Sequence, residues 1–185
     1  MKLYFLRHGE TDWNVKQLCQ GQKDIPLNAK GKRQAHKAAK TVQNLEIQTI
    51  FSSPLLRAKE TAEIISSLIP LAKLQTSPLL MERAWGEYQG ASSEKMYAYE
   101  EAEDSSKGFK PLSGKGFETK EVFKTRTQAA LTAAMKLESP LLIVSHGRFF
   151  RCLCEVLEIT AIRQIENAVP IHLAFNGEKW NLKRI

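Results

Sequence analysis

With 185 residues, 43% of them hydrophobic, the chain can bury one sizeable core and is short for two, so a single domain over residues 1–185 is expected. Lysine and arginine number 27 against 20 acidic residues, a net charge of +7 that favours an anionic partner: nucleic acid, an acidic lipid surface or a phosphorylated small molecule. The cations are scattered in ones and twos with no nucleic-acid-binding signature, so nucleic acid is not expected as a partner. No apolar run approaches the ~18 residues of a membrane span, and Arg7 cuts off "LYFL" before it could form a signal-peptide core. No membrane partner is expected, and the location expected is cytoplasmic.

Strand-like and helix-like stretches alternate along the chain. "KLYFL" is a strand, followed by a long polar loop. In "LNAKGKRQAHKAAKTVQNL" Asn28 can cap a helix whose apolar stripe is Ala35, Ala39 and Val42. "QTIFSS" is a short buried strand. "PLLRAKETAEIISSLIP" reads as a helix with Pro54 at its first position, Leu55, Ala58, Ala62 and Ile65 along one face, and Pro70 as its stop. Residues 73–77 make a weak strand, 91–104 a glutamate-rich helix and 105–116 a Ser/Gly/Lys loop. "ETKEVFKTRTQAALTAAMKL" is a helix. "PLLIVSHG", a run of large aliphatics between turn signals, suits a parallel strand buried on both faces. A helix from Arg148 to Leu157 and a hairpin of "IHLAF" and "KWNLK" around Asn176 and Gly177 complete the chain.

This alternation specifies an α/β protein: a three-layer αβα sandwich with a mostly parallel central sheet. Residues 83–116 read as an inserted short cap of helix and loop over the edge where the strands end. The cysteines, Cys19, Cys152 and Cys154, are odd in number, and the last two lie two apart on a helix, where side chains do not face each other. Free thiols follow. No Cys/His spacing suits zinc, so no structural metal is expected.

Chemistry concentrates at three strand-to-helix junctions. "YFL" ends in Arg7 and His8, "IFSSPLLR" puts Arg57 in the first turn of a helix, and "LLIVS" ends in His146 and Gly147. Right-handed crossovers bring the carboxyl ends of parallel strands to one edge of a sheet, where open α/β folds bind ligands. Two imidazoles, two guanidiniums and helix N-termini around one point would suit a phosphoryl group: the guanidinium forks match its oxygens and the termini add N–H donors. Taken singly, each residue has a plainer reading. A strand-end histidine can be core, Arg57 a solvated helix residue, Asn14 a turn residue and Glu82 a solvated loop glutamate. His36 and His172 are read as structural.

The blocks "LRHGETDWN", "LNAKGKRQA", "SSPLLRAKETA", "LLMERAWGEYQG" and "IVSHGRFFR" stand in the order and spacing of the histidine phosphatase superfamily, and the chain resembles its phosphoglycerate-mutase-like branch over nearly its whole length. The resemblance implies that His8 is the nucleophile, that Arg7, Arg57 and His146 form its phosphate pocket, and that Glu82 is the proton donor. It also implies that Asn14 contacts phosphate, that Gln20 and Gly21 belong to a loop closing on the substrate, and that no metal or other cofactor takes part. Gly147 joins the substrate-binding set through its junction.

Some positions depart from the family pattern. Arg148, where a small or amide residue is usual, could grip a second anionic group or pair with Glu166. "ENAVP" replaces a motif that more often carries Ser or Thr, and "GKGFET" modifies the usual Gly-Glu-Ser. The leading reading is a metal-independent phosphomonoester phosphatase working through a phosphohistidine on a small phosphorylated metabolite. A phosphoglycerate mutase, which keeps the phosphoryl group on His8, is the competing enzyme, and a non-catalytic phosphoryl-binding module is the alternative of another class. The oligomeric state is left open.

Overall fold

The computed structural model describes residues 2–105, 112, 114–160 and 165–185. Part of the Ser/Gly/Lys loop read at 105–116, namely 106–111 and 113, lies outside the described residues.

Six strands, β1 (Leu3–Arg7), β2 (Thr49–Ser52), β3 (Lys73–Thr76), β4 (Leu141–Ser145), β5 (Ile171–Phe175) and β6 (Trp180–Arg184), form one sheet in the order β3-β2-β4-β1-β5-β6. β1 to β4 run parallel, β5 runs antiparallel to β1, and β6 closes the expected hairpin. Successive side chains of a strand face opposite ways. Leu3 and Phe5 therefore enter one core with Phe51, Leu141 and Ile143, while Tyr4 and Leu6 enter the other with Ile50, Leu142 and Val144.

Helices cover both faces. A short α1 (Asp12–Val15) follows β1; α2 (Ala29–Val42) and α3 (Leu56–Leu68) bury small residues such as Ala38, Ala39, Ala58 and Ala62 on the Tyr4 side. α4 (Ser93–Ser105) belongs to the cap segment, where Met96 packs with Cys19 and Trp85 inside a ring of Tyr88, Tyr99 and Phe117. α5 (Lys120–Ala134) and α6 (Gly147–Val156) cover the Phe5 side. Phe149 and Phe150 anchor α6 against Phe5, with ring centroids 6.4 and 4.7 Å away. Burying each such ring is worth roughly 1.5–3 kcal/mol, and it fixes the helix that begins at Gly147.

Two local features place the loop after β1. Asn28 caps α2 by accepting the Gly31 N–H at 2.8 Å. A Cβ on Gly31 would overlap the Glu10 carbonyl, and one on Gly9 would overlap the Gly31 carbonyl, so the two backbones touch only because both residues are glycine. The third helix differs from the sequence reading. α3 begins at Leu56 and not at Pro54, because Leu55 is extended and serves as the N-cap. Ser53 Oγ accepts the Leu55 N–H and Asp24 accepts the Leu56 N–H at 2.7 Å, so Ser53 to Leu55 form a turn outside the helix.

Candidate active site

Strand register brings the junctions together. Arg7 pairs with Ser145, and the His8 N–H continues the ladder to the Ser145 carbonyl at 2.9 Å. His8 and His146 thus leave the same edge of the sheet with ring centroids 5.3 Å apart. Ser53 extends β2 in the same way, its N–H donating to the Val144 carbonyl.

His8 is held on every side. Its Nδ1 lies 2.7 Å from the Gly9 carbonyl, which can only accept, so Nδ1 carries the proton and Nε2 the lone pair. Arg57 Nε points at that Nε2 from 3.3 Å. The Asn167 amide donates to the His8 carbonyl at 2.8 Å, and Thr61 accepts the Gly9 N–H at 3.0 Å. Burial holds the His8 imidazole well below its ordinary pKa, and Arg57 and then Arg7 push it further down. The ring is neutral at neutral pH.

Arg57 is 1% exposed, and its Nη1 and Nη2 donate to the Lys23 and Gly21 carbonyls, both at 2.8 Å. Burial lowers its pKa to about 10, with Glu82 and Asp24 opposing the shift. Arg7 donates from Nη1 to the Ile165 carbonyl at 3.0 Å, while its buried Nε has no hydrogen-bond partner among the described residues. Its pKa is lowered too, again first by burial.

His146 is fully buried beside His8. Its Nε2 meets Ser53 Oγ at 2.8 Å, its Nδ1 is without a partner among the described residues, and burial, then Arg57, hold its pKa well down. Glu82, 7% exposed, receives three backbone N–H groups: Arg83 and Phe149 on Oε1 and Arg148 on Oε2, each at 3.0 Å. Two of those donors are the first turn of α6. Helix termini are thus occupied where the sequence reading assigns them to phosphate: α6 by Glu82 and the Leu56 N–H of α3 by Asp24. The protein's own carboxylates satisfy these orphan amides. Apart from the Gly147 N–H, which Glu82 does not take and which lines the same site, oxyanion recognition falls on side chains.

Arg7, His8, Asn14, Gln20, Arg57 and Glu82 surround a cavity of about 60 Å³ that Gly21, Gly147 and Arg148 also line. At ~10–15 Å³ for each water, it holds a few waters, the space of one phosphoryl group. Asn14 is both a turn residue and a cavity residue. Its Oδ1 accepts the Thr11 N–H at 3.0 Å in a capping box, leaving the amide NH₂ end for the cavity. Gln20 has a buried Oε1 without a partner among the described residues, and Gly21, at φ +51°, supplies the carbonyl that holds Arg57. The donor set is imidazole, guanidinium and amide, which suits an anion. Among the described residues no three His, Cys, Asp or Glu side chains gather as metal ligands.

Arg148 corrects one expectation: it pairs with Glu100 of α4, not with Glu166. Its Nε lies 2.9 Å from Glu100 Oε1, and its guanidinium carbon lies 4.5 Å from the Tyr97 ring centre. Glu100, 7% exposed, also accepts from Arg151 at 3.1 Å. Arg148 Nη2 is buried without a partner among the described residues. Sequence reasoning missed Ser53, Thr61, Glu100 and Asn167. Thr61 carried a signal, being a polar residue on the buried stripe of α3 beside Ala58 and Ala62. Asn167 lies in the "ENAVP" block, whose departure from the family pattern marks the segment without singling out the residue.

The chain belongs to the histidine phosphatase superfamily, whose branch 1 it matches over residues 3–185. "Uncharacterized phosphatase PhoE" of Bacillus subtilis (strain 168) is 34% identical over 185 residues, 96% of this chain and 90% of that protein. "Probable phosphoglycerate mutase GpmB" of Yersinia enterocolitica is 35% identical over 164 residues, covering 85% of this chain and 74% of the relative. Among solved structures, a phosphoglycerate mutase from Thermus thermophilus superposes with a TM-score of 0.78 at 28% identity, over 100% of this chain and 99% of that one. The chain is thus an enzyme of the histidine phosphatase type.

Proposed function

We propose that the protein is a metal-independent phosphomonoester phosphatase of the cytoplasm, acting through a phosphohistidine on His8. One observation carries this reading: a neutral imidazole whose Nδ1–H is tied to the Gly9 carbonyl, leaving the Nε2 lone pair beside Arg57 at a phosphoryl-sized cavity. In the first step Nε2 forms a bond to phosphorus while the bond to the alcohol oxygen breaks, and Glu82 gives that oxygen its proton. In the second, water attacks phosphorus, Glu82 takes back a proton, and the N–P bond breaks to release phosphate. Splitting one displacement into two lowers each barrier.

Arg7 and Arg57 hold the equatorial oxygens and balance their charge, the positioning and electrostatic help that dominate phosphoryl transfer. Asn14, Gly147 and Arg148 Nη2 complete the oxygen contacts. Gln20 and Gly21 form the loop wall that also fixes Arg57. With Ser53 donating to His146 Nε2, the Nδ1–H of His146 serves another oxygen. The described residues between 83 and 116 act as the cap of a single domain.

The names of the Yersinia relative and the Thermus structure favour a second reading, isomerisation of a phosphoglycerate. A mutase must keep water from its phosphoenzyme. Here the cavity adjoins a chamber of about 510 Å³ walled in part by exposed Gln17 and Glu94, an arrangement that favours hydrolysis. Incubation with 3-phosphoglycerate and with p-nitrophenyl phosphate, without metal and with chelator, tests both readings. Free phosphate together with an acid-labile label on His8 is expected. Isomer formation far above phosphate release establishes the mutase instead, and absence of any label on His8 removes both.

A further inference from the structure

We infer that the substrate is the phosphate monoester of a neutral or ammonium-bearing alcohol, with no second anionic group; this rests on the hydrolytic reading above. The inner cavity has room for the phosphoryl group alone. The rest of the substrate must occupy the chamber of about 510 Å³, which shares Arg7, Asn14, Ser93 and Tyr97 with it.

The charges around that chamber decide what it accepts. Among the described residues its walls carry two carboxylates, Glu10 and Glu94, against one cation, Arg7. Arg7 also lines the inner cavity, where its buried Nε awaits a partner, so the phosphoryl dianion claims its charge. Glu10 is balanced by Lys30 at 2.7 Å and by the Asn28 amide at 3.1 Å. Glu94 makes no ion pair with a described residue, and it stands in the first turn of α4.

Arg148 is the cation that could have held a second anion. It lines the inner cavity rather than the chamber, and its Nε is committed to Glu100. What remains facing the alcohol is Glu94 and neutral hydrogen-bonding groups, with Gln17, Asn167 and the Tyr97 ring among them. Hydroxyl, amide or ammonium groups suit these walls. A carboxylate or second phosphate would face like charge, with no cation left among the described residues to offset it.

The test uses His8→Asn protein, which leaves esters intact, and calorimetric titration with phosphoethanolamine, glycerol 2-phosphate and 3-phosphoglycerate. The first two are expected to bind about two- to fivefold more tightly than the third, the size of effect one exposed, screened charge produces. Glu94→Lys, at an exposed position, should close that gap, mainly by improving 3-phosphoglycerate. Equal or tighter binding of 3-phosphoglycerate overturns the inference, as does an unchanged ratio in Glu94→Lys or no binding of any of the three. Turnover of p-nitrophenyl phosphate by the wild-type enzyme is read separately. Its absence defeats the hydrolytic reading, while the order of affinities still decides this one.

Discussion

The arginines at the floor of the cavity and those under the cap are all largely buried, yet their charges are in opposite situations. Arg7 and Arg57 donate to carbonyls, have no carboxylate of a described residue within ion-pairing distance, and have lowered pKa values, with burial the main cause. Under the cap, Arg83 pairs with Glu103 at 2.8 Å and Arg148 with Glu100 at 2.9 Å. The pKa values of these two are raised: burial lowers them, and the neighbouring carboxylates more than make up for it. The cap arginines therefore have their anions built in, whereas the floor arginines are short of one. A fold that leaves buried cations uncompensated is prepared for an anionic visitor.

Variants can break this contrast. The largest effect is expected at His8: His8→Asn should take turnover to background and abolish the phosphohistidine label while leaving the circular dichroism spectrum unchanged. Glu82→Gln should lower kcat by ~10²–10⁴-fold, the usual worth of acid–base help, with phosphate affinity changed far less. If kcat and affinity fall together, Glu82 is not the proton carrier. Glu100→Ala removes the anion shared by Arg148 and Arg151. It should cost about 3–5 kcal/mol in denaturant unfolding, whereas Arg57→Met should cost the unliganded protein clearly less.

Ligand and pH sharpen the comparison further. Inorganic phosphate at a hundred times its Kd should stabilise the wild type by about 2.7 kcal/mol in thermal shift, and Arg57→Met should lose most of that gain. For His8 and His146 the folded-state pKa lies below the unfolded value of 6.5. Below pH 6.5 the unfolded chain binds protons that the folded protein refuses. Their contribution to stability is thus complete above that pH and falls as pH drops from 6.5 towards the folded values. The slope should reach about 1.4 kcal/mol per pH unit for each imidazole. Melts of wild type and His146→Gln between pH 7 and pH 5 check it, the variant showing the shallower decline.

Much of this was legible in the chain because the decisive signals are local. A strand pattern that ends in Arg7 and His8, or in His146 and Gly147, announces its own junction, and parallel topology then dictates convergence. Asn28 as a helix cap, the stripe of α3 and the last hairpin follow from short-range rules in the same way. What was not legible is pairing between elements. Glu100 reaches Arg148 across 48 residues, and nothing in the periodicity of a glutamate-rich helix tells which glutamate turns inward. The start of α3 at Leu56 depended on Asp24, which lies 32 residues earlier. The amides of α6 were assigned to phosphate because their claimant, Glu82, comes from a loop whose path only the fold reveals.

The contacts of Glu82 have a further consequence. The carboxyl proposed to shuttle protons is also what ties down the opening turn of α6 through the Arg148 and Phe149 amides. Each time it gains a proton its grip on those amides slackens, and each time it loses one the turn tightens again. The catalytic cycle would then be written into the backbone as a rhythm of loosening at one end of one helix. Deuterium uptake at those two positions would report it, faster during turnover than at rest.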